Sequence, residues 1–151
     1  MNIENGGGSR ITRDQLLVGI VRLLASRSTC KRADVGSLIT KDNRVISTGY
    51  NGSPRGEKHC LEIGCLLDES GSCIRTVHAE ANTIAYAARN GIATNGATLY
   101  TTLAPCYTCS KLIINAGIVK VVYLQKYHNP AGIDLLIKSG IECIYHGEDN
   151  G

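Results

Sequence analysis

The sequence predicts an α/β protein, a three-layer α/β/α sandwich around a five-stranded mixed sheet. The main evidence lies in the second half, where helix-like and strand-like segments alternate and three predicted helices each end at a glycine: Gly91, Gly117 and Gly140. Such alternation favours parallel strands with helices on the faces of the sheet. In the first half, two short apolar segments around a polar turn predict a hairpin, which adds antiparallel pairing.

The first predicted element is a helix that starts at Thr12. Thr12 and Gln15 have the spacing of a capping box, apolar residues recur at helical intervals from Leu16 to Leu24, and the helix is expected to end near residues 26–28. The hairpin strands are predicted over 35–40 and 44–50, and the cysteine-rich segment 59–72 is expected to be irregular. The later elements are predicted as helices over 77–90, 106–116 and 133–139, which alternate with strands over 97–101, 119–124 and 141–146.

Composition limits the function classes. The 151 residues suit one domain over 11–151, preceded by a flexible tail over 1–10 that contains three consecutive glycines. A net charge of +3 without blocks of like charge is not typical of a nucleic-acid-binding protein. The chain has no apolar segment that predicts an export signal or a membrane span, so we expect a cytoplasmic protein. Seven cysteines in that setting favour metal binding over disulfides.

Four residues in the second half form a candidate catalytic metal site. Cys106 and Cys109 are three residues apart at the start of a predicted helix, so both thiols can lie on one face with His78 as a third ligand. Three ligands leave a fourth position for water, and Glu80 lies two residues from His78, where it can carry protons. Taken singly, these residues also fit a redox pair, a helix cap or a non-catalytic zinc-bound module that binds protein or nucleic acid.

The order His78-Ala79-Glu80, then Pro105-Cys106-Tyr107-Thr108-Cys109, is the known signature of zinc-dependent nucleobase deaminases. Together with the Gly49-to-Pro54 motif, the cysteine-rich insert and Ala87-to-Gly91, it resembles the cytidine/deoxycytidylate deaminase superfamily, in particular its deoxycytidylate branch. The resemblance implies a cytidine deaminase-like fold and hydrolysis of dCMP to dUMP and ammonia, which supplies thymidylate synthesis. Deamination of another small base or nucleoside is the alternative within the superfamily.

The resemblance also implies roles for three substrate-binding residues. Asn51 would hydrogen-bond the sugar, although Asn-Gly is also a common turn. Arg89 would bind the 5′-phosphate of the substrate or a nucleotide in a neighbouring subunit, although an arginine at the end of a helix is often only solvated. Tyr127, after the fourth predicted strand, would contact the phosphate or else shield the edge of the sheet.

Regulation and assembly are further implications of the resemblance. Members of the deoxycytidylate branch are often activated by dCTP and inhibited by dTTP, and they form hexamers. The regulatory nucleotide, with Mg²⁺, would lie near a glycine-containing loop whose amides suit phosphate. The residues of that loop are Gly49, Tyr50, Asn51, Gly52 and Ser53.

A second group of cysteines lies outside the catalytic motif. Cys30 and Cys60 match the positions of a structural zinc that some members of the branch contain. Cys65 and Cys73 are the remaining expected ligands, and His59 competes with them because a closed zinc site has four ligands. A structural Zn²⁺ would supply cross-links that a polar, irregular loop otherwise lacks.

Overall fold

The structure is a computed structural model, and it describes residues 9–147. Most of the tail predicted over 1–10 therefore lies outside the described residues. The elements are α1 (Arg13–Ala25), β1 (Gly36–Lys41), β2 (Arg44–Tyr50), α2 (Cys60–Ile63), α3 (Ala79–Arg89), β3 (Thr98–Leu103), α4 (Tyr107–Asn115), β4 (Lys120–Gln125), α5 (Ala131–Lys138) and β5 (Glu142–Tyr145). Among these helices, none combines the length and the apolar composition needed to cross a bilayer.

The five strands form one mixed sheet in the order β2-β1-β3-β4-β5. β1 is antiparallel to both β2 and β3, whereas β3, β4 and β5 are mutually parallel. The helical connections α4 and α5 join the parallel strands, as crossover geometry requires. The predicted fold class and hairpin are therefore confirmed.

Alternating side chains divide the core into two layers. Leu38, Tyr100 and Val122 pack with α1 on one face of the sheet. Their neighbours in sequence point to the other face, where Leu99 and Val121 meet apolar residues of α3, α4 and α5. Helices therefore cover both faces, which gives the three predicted layers.

Local sequence signals account for the ends of several elements. The Gln15 amide donates to Thr12 Oγ1 at 3.1 Å, and the Thr12 amide donates to Gln15 Oε1 at 2.8 Å, so the predicted capping box is present. The β1–β2 turn places Asp42 and Asn43 at φ values of 51° and 63°. Asp and Asn tolerate this left-handed conformation better than most residues, which suits a tight hairpin.

Three differences from the sequence predictions bear on the candidate site, and other element ends differ by one or two residues. Residues 60–63 are helical rather than irregular, because the Glu62 carboxylate accepts from the His59 amide and closes a single turn too short for periodicity to reveal. The helices predicted from 77 and 106 begin at 79 and 107. His78 and Cys106 have extended ψ angles of 151° and 170°, so they precede their helices as N-caps.

Candidate active site

A cavity of about 380 Å³ opens at the carboxyl ends of β3 and β4, the usual position of ligands in open α/β sheets. The loops after β3 and β4 supply part of its wall, and the start of α3 supplies another part. Its size is within the range of small-molecule sites. Polar and ionisable side chains of its lining include those of Arg32, Asn51, Ser72, Thr76, His78, Glu80, Cys106, Tyr127 and His128.

The three predicted catalytic metal ligands lie together. His78 Nδ1 is 3.5 Å from Cys106 Sγ and 3.4 Å from Cys109 Sγ. Zinc bonds of about 2.0–2.1 Å to nitrogen and about 2.3 Å to sulfur, meeting at a tetrahedral angle, put the two donors about 3.5 Å apart. The donor set and its spacing therefore fit a tetrahedral zinc ion.

The start of α4 arranges the two thiols. Cys106 is the N-cap, and its Sγ accepts a hydrogen bond from the Cys109 amide at 3.5 Å. The Cys109 thiol and the His78 imidazole hold the pKa of Cys106 at about 4, against the opposing effect of burial. The neighbouring thiolate raises the pKa of Cys109. One thiolate is thus available before a metal binds, and a bound zinc ion would deprotonate the second thiol.

The backbone around Pro105 and Cys106 is fixed by close contact with α5. A Cβ atom on Gly132 would overlap the carbonyl oxygen of Pro105 and the main chain of Cys106. Only glycine allows α5 to approach the ligand-bearing loop this closely. This contact couples the second crossover helix to the metal site.

Glu80 lies in the first turn of α3 and is only 4% exposed. The Thr101 hydroxyl donates to Glu80 Oε1 at 3.0 Å from the adjacent strand β3, and the same hydroxyl lies 2.9 Å from the Leu103 carbonyl oxygen. Burial raises the pKa of Glu80 above its usual value. A buried carboxyl group whose pKa is raised in this way is suited to accept a proton and return it.

The predicted substrate-binding residues have different positions. Asn51 lines the cavity and is buried, with Oδ1 accepting from the Val35 amide at 2.9 Å and Nδ2 donating to the Ala33 carbonyl at 2.7 Å. It therefore holds the loop that precedes β1. Tyr127 also lines the cavity, with its ring 4.2 Å from that of His128. Arg89, the exposed last residue of α3, is not among the described residues that line the cavity.

Sequence reasoning did not identify several polar residues of the cavity. Arg32 is the one lysine or arginine among the described cavity-lining residues, and Ser72, Thr76 and His128 add hydrogen-bonding groups. These residues lie in loops, where no periodicity indicates the direction of a side chain. The position of Arg32 two residues after Cys30 offered one clue, since Cys30 was itself a candidate ligand.

The second group of cysteines also converges. Cys30 Sγ lies 3.7 Å from Cys65 Sγ, and Cys60 Sγ lies 3.6 Å from Cys73 Sγ. All four sulfur atoms are within 4.8 Å of one another, whereas His59 is not part of this group among the described residues. Zinc bonds of about 2.3 Å place tetrahedral sulfur atoms about 3.8 Å apart. These separations fit a four-thiolate zinc site and are too long for disulfides.

The environments of these thiols suit metal binding. Burial would raise the pKa of Cys73, but main-chain amides of Arg75 and Leu66 donate to its sulfur and bring the pKa down to about 6. Burial and the neighbouring sulfur atoms raise the pKa of Cys60 to about 12. A cation at the centre of the group would offset the repulsion among four thiolates.

The loop predicted to bind a regulatory nucleotide makes main-chain hydrogen bonds and a close contact with other parts of the fold. The Asn51 amide donates to the Val35 carbonyl at 3.2 Å, and the Gly52 amide donates to the Val77 carbonyl at 3.2 Å. A Cβ on Gly49 would come within 2.5 Å of Thr83 Oγ1, so glycine is needed there for contact between β2 and α3. Two of the loop's amides are therefore already occupied by the chain itself.

The class of protein follows from Glu80 and the metal-ligand geometry, because zinc-dependent nucleobase deaminases combine a non-ligand glutamate with one of their characteristic His/Cys ligand sets. The family described as the cytidine and deoxycytidylate deaminase zinc-binding region matches residues 11–125. The chain therefore belongs to the cytidine and deoxycytidylate deaminase family.

Relatives and solved structures agree with this membership. ComE operon protein 2 of Bacillus subtilis is 43% identical over 133 residues, which cover 87% of this chain and 70% of that protein. Deoxycytidylate deaminase of Mycobacterium phage D29 is 42% identical over 125 residues, which cover 76% and 96% of the two chains. The crystal structure of dCMP deaminase from cyanophage S-TIM5 in complex with dCMP and dUMP matches with a TM-score of 0.80 at 31% identity, covering 93% of this chain and 100% of that chain.

Proposed function

We propose that the protein is a zinc-dependent enzyme that hydrolyses dCMP to dUMP and ammonia and so supplies dUMP for thymidylate synthesis. The observation that carries the proposal is the His78, Cys106 and Cys109 ligand geometry beside the buried carboxyl group of Glu80. The relatives named deoxycytidylate deaminase support dCMP as the substrate, as does the phage enzyme solved with dCMP and dUMP.

His78, Cys106 and Cys109 would hold a zinc ion, which when bound would acidify a water molecule. Glu80 would accept a proton from that water at a carboxylate oxygen and deliver it to the ring nitrogen of the base. The water oxygen would then bond to the carbon that bears the exocyclic amine. Glu80 would then transfer the second water proton to the amine, the carbon–nitrogen bond breaks, and ammonia leaves.

The polar residues of the cavity suit the remainder of a nucleotide. Arg32 can bind a phosphate with two parallel hydrogen bonds, and Ser72 and Thr76 can donate to further oxygen atoms. Tyr127 would contact the same phosphate from the loop after β4. Asn51 would use its remaining amide hydrogen and lone pair on the sugar. The exposed position of Arg89 supports its alternative role, binding a nucleotide in a neighbouring subunit.

We also propose a structural Zn²⁺ bound by Cys30, Cys60, Cys65 and Cys73. Four thiolates complete a tetrahedral site, so His59 is not required as a ligand.

Three expectations rest on the family resemblance: activation by dCTP and inhibition by dTTP with Mg²⁺ near Gly49–Ser53, a cytoplasmic location, and a hexamer. The exposed apolar side chains of Tyr86, Tyr107 and Leu112 on α3 and α4 support contacts between subunits.

The direct test is turnover of dCMP by the wild type and by Glu80→Gln. The amide cannot take a proton from water, so we expect kcat to fall by about 10²–10⁴-fold while zinc content is unchanged. Glu142→Gln, at an exposed position on β5, is the matched control and should retain full activity. Normal turnover by Glu80→Gln would exclude the proton-transfer role.

A second comparison tests the substrate class. If Arg32 binds phosphate, kcat/KM for dCMP should exceed that for deoxycytidine by about 10²-fold, because a charge-assisted bidentate pair contributes about 3 kcal/mol. Adenosine serves as the unrelated nucleoside. Equal values for dCMP and deoxycytidine would favour a nucleoside deaminase instead.

A further inference from the structure

The four-cysteine cluster and the active-site cavity share a wall. Cys30 and Cys73 belong to the cluster of four sulfur atoms, and the same two residues line the cavity that contains His78 and Glu80. The other two members, Cys60 and Cys65, do not belong to the described lining of the cavity. The cluster is therefore more than a distant cross-link, because half of its ligands form part of the surface that faces the substrate.

The residues of the cavity that suit an anion flank these two cysteines. Arg32 follows Cys30 by two residues in the loop between α1 and β1. Ser72 immediately precedes Cys73, and Thr76 follows it by three residues. One arginine and two hydroxyl groups are thus carried by the two segments that the cluster joins. The chemistry of this wall fits the phosphate of a nucleotide.

The segment that carries Ser72 has few other attachments to the described fold. Most of its residues from 61 to 74 are exposed, including the large apolar side chains of Leu66, Leu67 and Ile74. Its hydrogen bonds are largely internal, such as those from the Ser70 and Ser72 amides to the Asp68 carboxylate. The Leu61 amide donates to the Thr29 carbonyl at 3.1 Å at the start of the segment, and beyond that point the four-cysteine cluster supplies the main attachment.

The catalytic ligands are held independently of the cluster. His78 and Cys106 cap helices that pack on the sheet, and the Gly132 contact fixes the loop at Cys106. Glu80 is held by Thr101 on a central strand. Loss of the cluster should therefore alter the phosphate-facing wall while the site of the chemistry remains intact.

We propose that the four-cysteine cluster, with its metal, positions the phosphate-binding wall formed by Arg32, Ser72 and Thr76. The cysteines act as positioning residues, and the metal centre contributes to the choice of a nucleotide over a nucleoside. This inference rests on the proposed dCMP deaminase activity and extends it, because it assigns phosphate recognition to a part of the chain outside the catalytic motif.

The experiment uses Cys65→Ser, which removes a cluster ligand that does not line the cavity. Zinc content should fall from two ions to one ion per chain. Since only the anion-binding wall is loosened, we expect kcat/KM for dCMP to fall by at least about tenfold, mainly through KM, with a change of less than about twofold for deoxycytidine. Cys143→Ser, which changes a cysteine outside both metal groups, should leave all three quantities unchanged.

Equilibrium binding supplies a readout that does not depend on turnover. In a Glu80→Gln background, calorimetry should show the same selective loss of dCMP affinity in Cys65→Ser. Cys65→His, which offers a metal ligand again, should restore part of that affinity. Equal loss for dCMP and deoxycytidine, or unchanged dCMP affinity after metal loss, would overturn the proposal.

The wild-type protein provides a test that needs no variant to fold. Binding equilibria are reciprocal, so a metal that tightens phosphate binding must itself be held more tightly when the phosphate is present. In a chelator titration, dUMP should therefore raise the chelator concentration that is needed to remove the second zinc, and deoxyuridine should not. Identical chelator curves with the two products would refute the coupling. Absence of dCMP turnover in the wild type would instead remove the proposed function.

Discussion

Gly132→Ala should damage the catalytic metal site although Gly132 is not a ligand. Its added Cβ would overlap the Pro105 carbonyl oxygen and the Cys106 main chain, and these backbone atoms cannot rotate away as a flexible side chain can. The substitution also gains about 1 kcal/mol of helix propensity in α5. Overpacking of a close contact costs about 1–3 kcal/mol, so the steric cost is expected to exceed the gain.

The expected loss of activity follows from how far the Cys106 loop must move to relieve this overlap. If the Cys106 loop relieves the overlap by moving about 1 Å, kcat should fall by about 10²-fold, and zinc affinity should weaken because Cys106 leaves the tetrahedral position. The assay combines zinc content, dCMP turnover and thermal unfolding. Gly19→Ala in α1 is the matched control, since nothing lies within 4 Å of its added Cβ. It should keep full activity and gain stability.

A refuting result would be Gly132→Ala with unchanged kcat and unchanged zinc affinity. It would mean that α5 can move away from the ligand loop without moving Cys106. Reduced stability with full activity would also mean that Cys106 stays in place when α5 moves. Only a joint loss of zinc affinity and kcat supports the coupling between α5 and the metal ligands.

Four further substitutions test the fold and the cavity. Tyr100→Phe removes the 2.7 Å hydrogen bond to Asp14 and should cost about 1–1.5 kcal/mol in urea unfolding at neutral pH. Burial raises the pKa of Tyr100 in the folded protein. The stabilisation by the Tyr100 hydroxyl is therefore complete below about pH 10 and is lost as the pH rises above it, so the stability difference between the wild type and Tyr100→Phe should shrink above about pH 10. A stability difference that is independent of pH would contradict this reasoning. Asn51→Ala removes two hydrogen bonds and should lower unfolding free energy by about 2–3 kcal/mol as well as raising KM, and a normal melting temperature would show that its structural bonds are dispensable. Arg32→Gln should raise KM for dCMP at least about tenfold with little effect on deoxycytidine, and a larger effect of Arg89→Gln on KM for dCMP would reassign phosphate binding to Arg89.

Local sequence patterns were sufficient to predict most of the fold. The capping box at Thr12 and the glycines after three helices act within a few residues, so their physical effect is visible in the sequence. Alternation of helices and strands then limits the topology to a parallel arrangement in the second half. The short helix Cys60–Ile63 was not predicted because one turn carries no periodic signal.

The sequence likewise predicted some features of the candidate site and not others. The spacing of Cys106 and Cys109, and of His78 and Glu80, implies a metal and a proton carrier before any contact is known. The direction of loop side chains is not encoded in such spacing. Arg32 therefore could not be recognised as facing the cavity, and Asn51 could not be recognised as a support for the loop at Val35.

The sequence by itself determined all the elements except the helix Cys60–Ile63, the order in which they occur and the residue types that can bind zinc and move protons, because these depend on short-range spacing and intrinsic chemistry. Tertiary structure alone decided those meetings of distant segments that no motif indicates. It placed Thr101 against Glu80, Gly132 against the Cys106 loop, and the wall that carries Arg32 against the four-cysteine cluster. Those contacts join residues far apart in the chain, and their geometry is fixed only when the helices and the sheet bury their shared apolar surfaces.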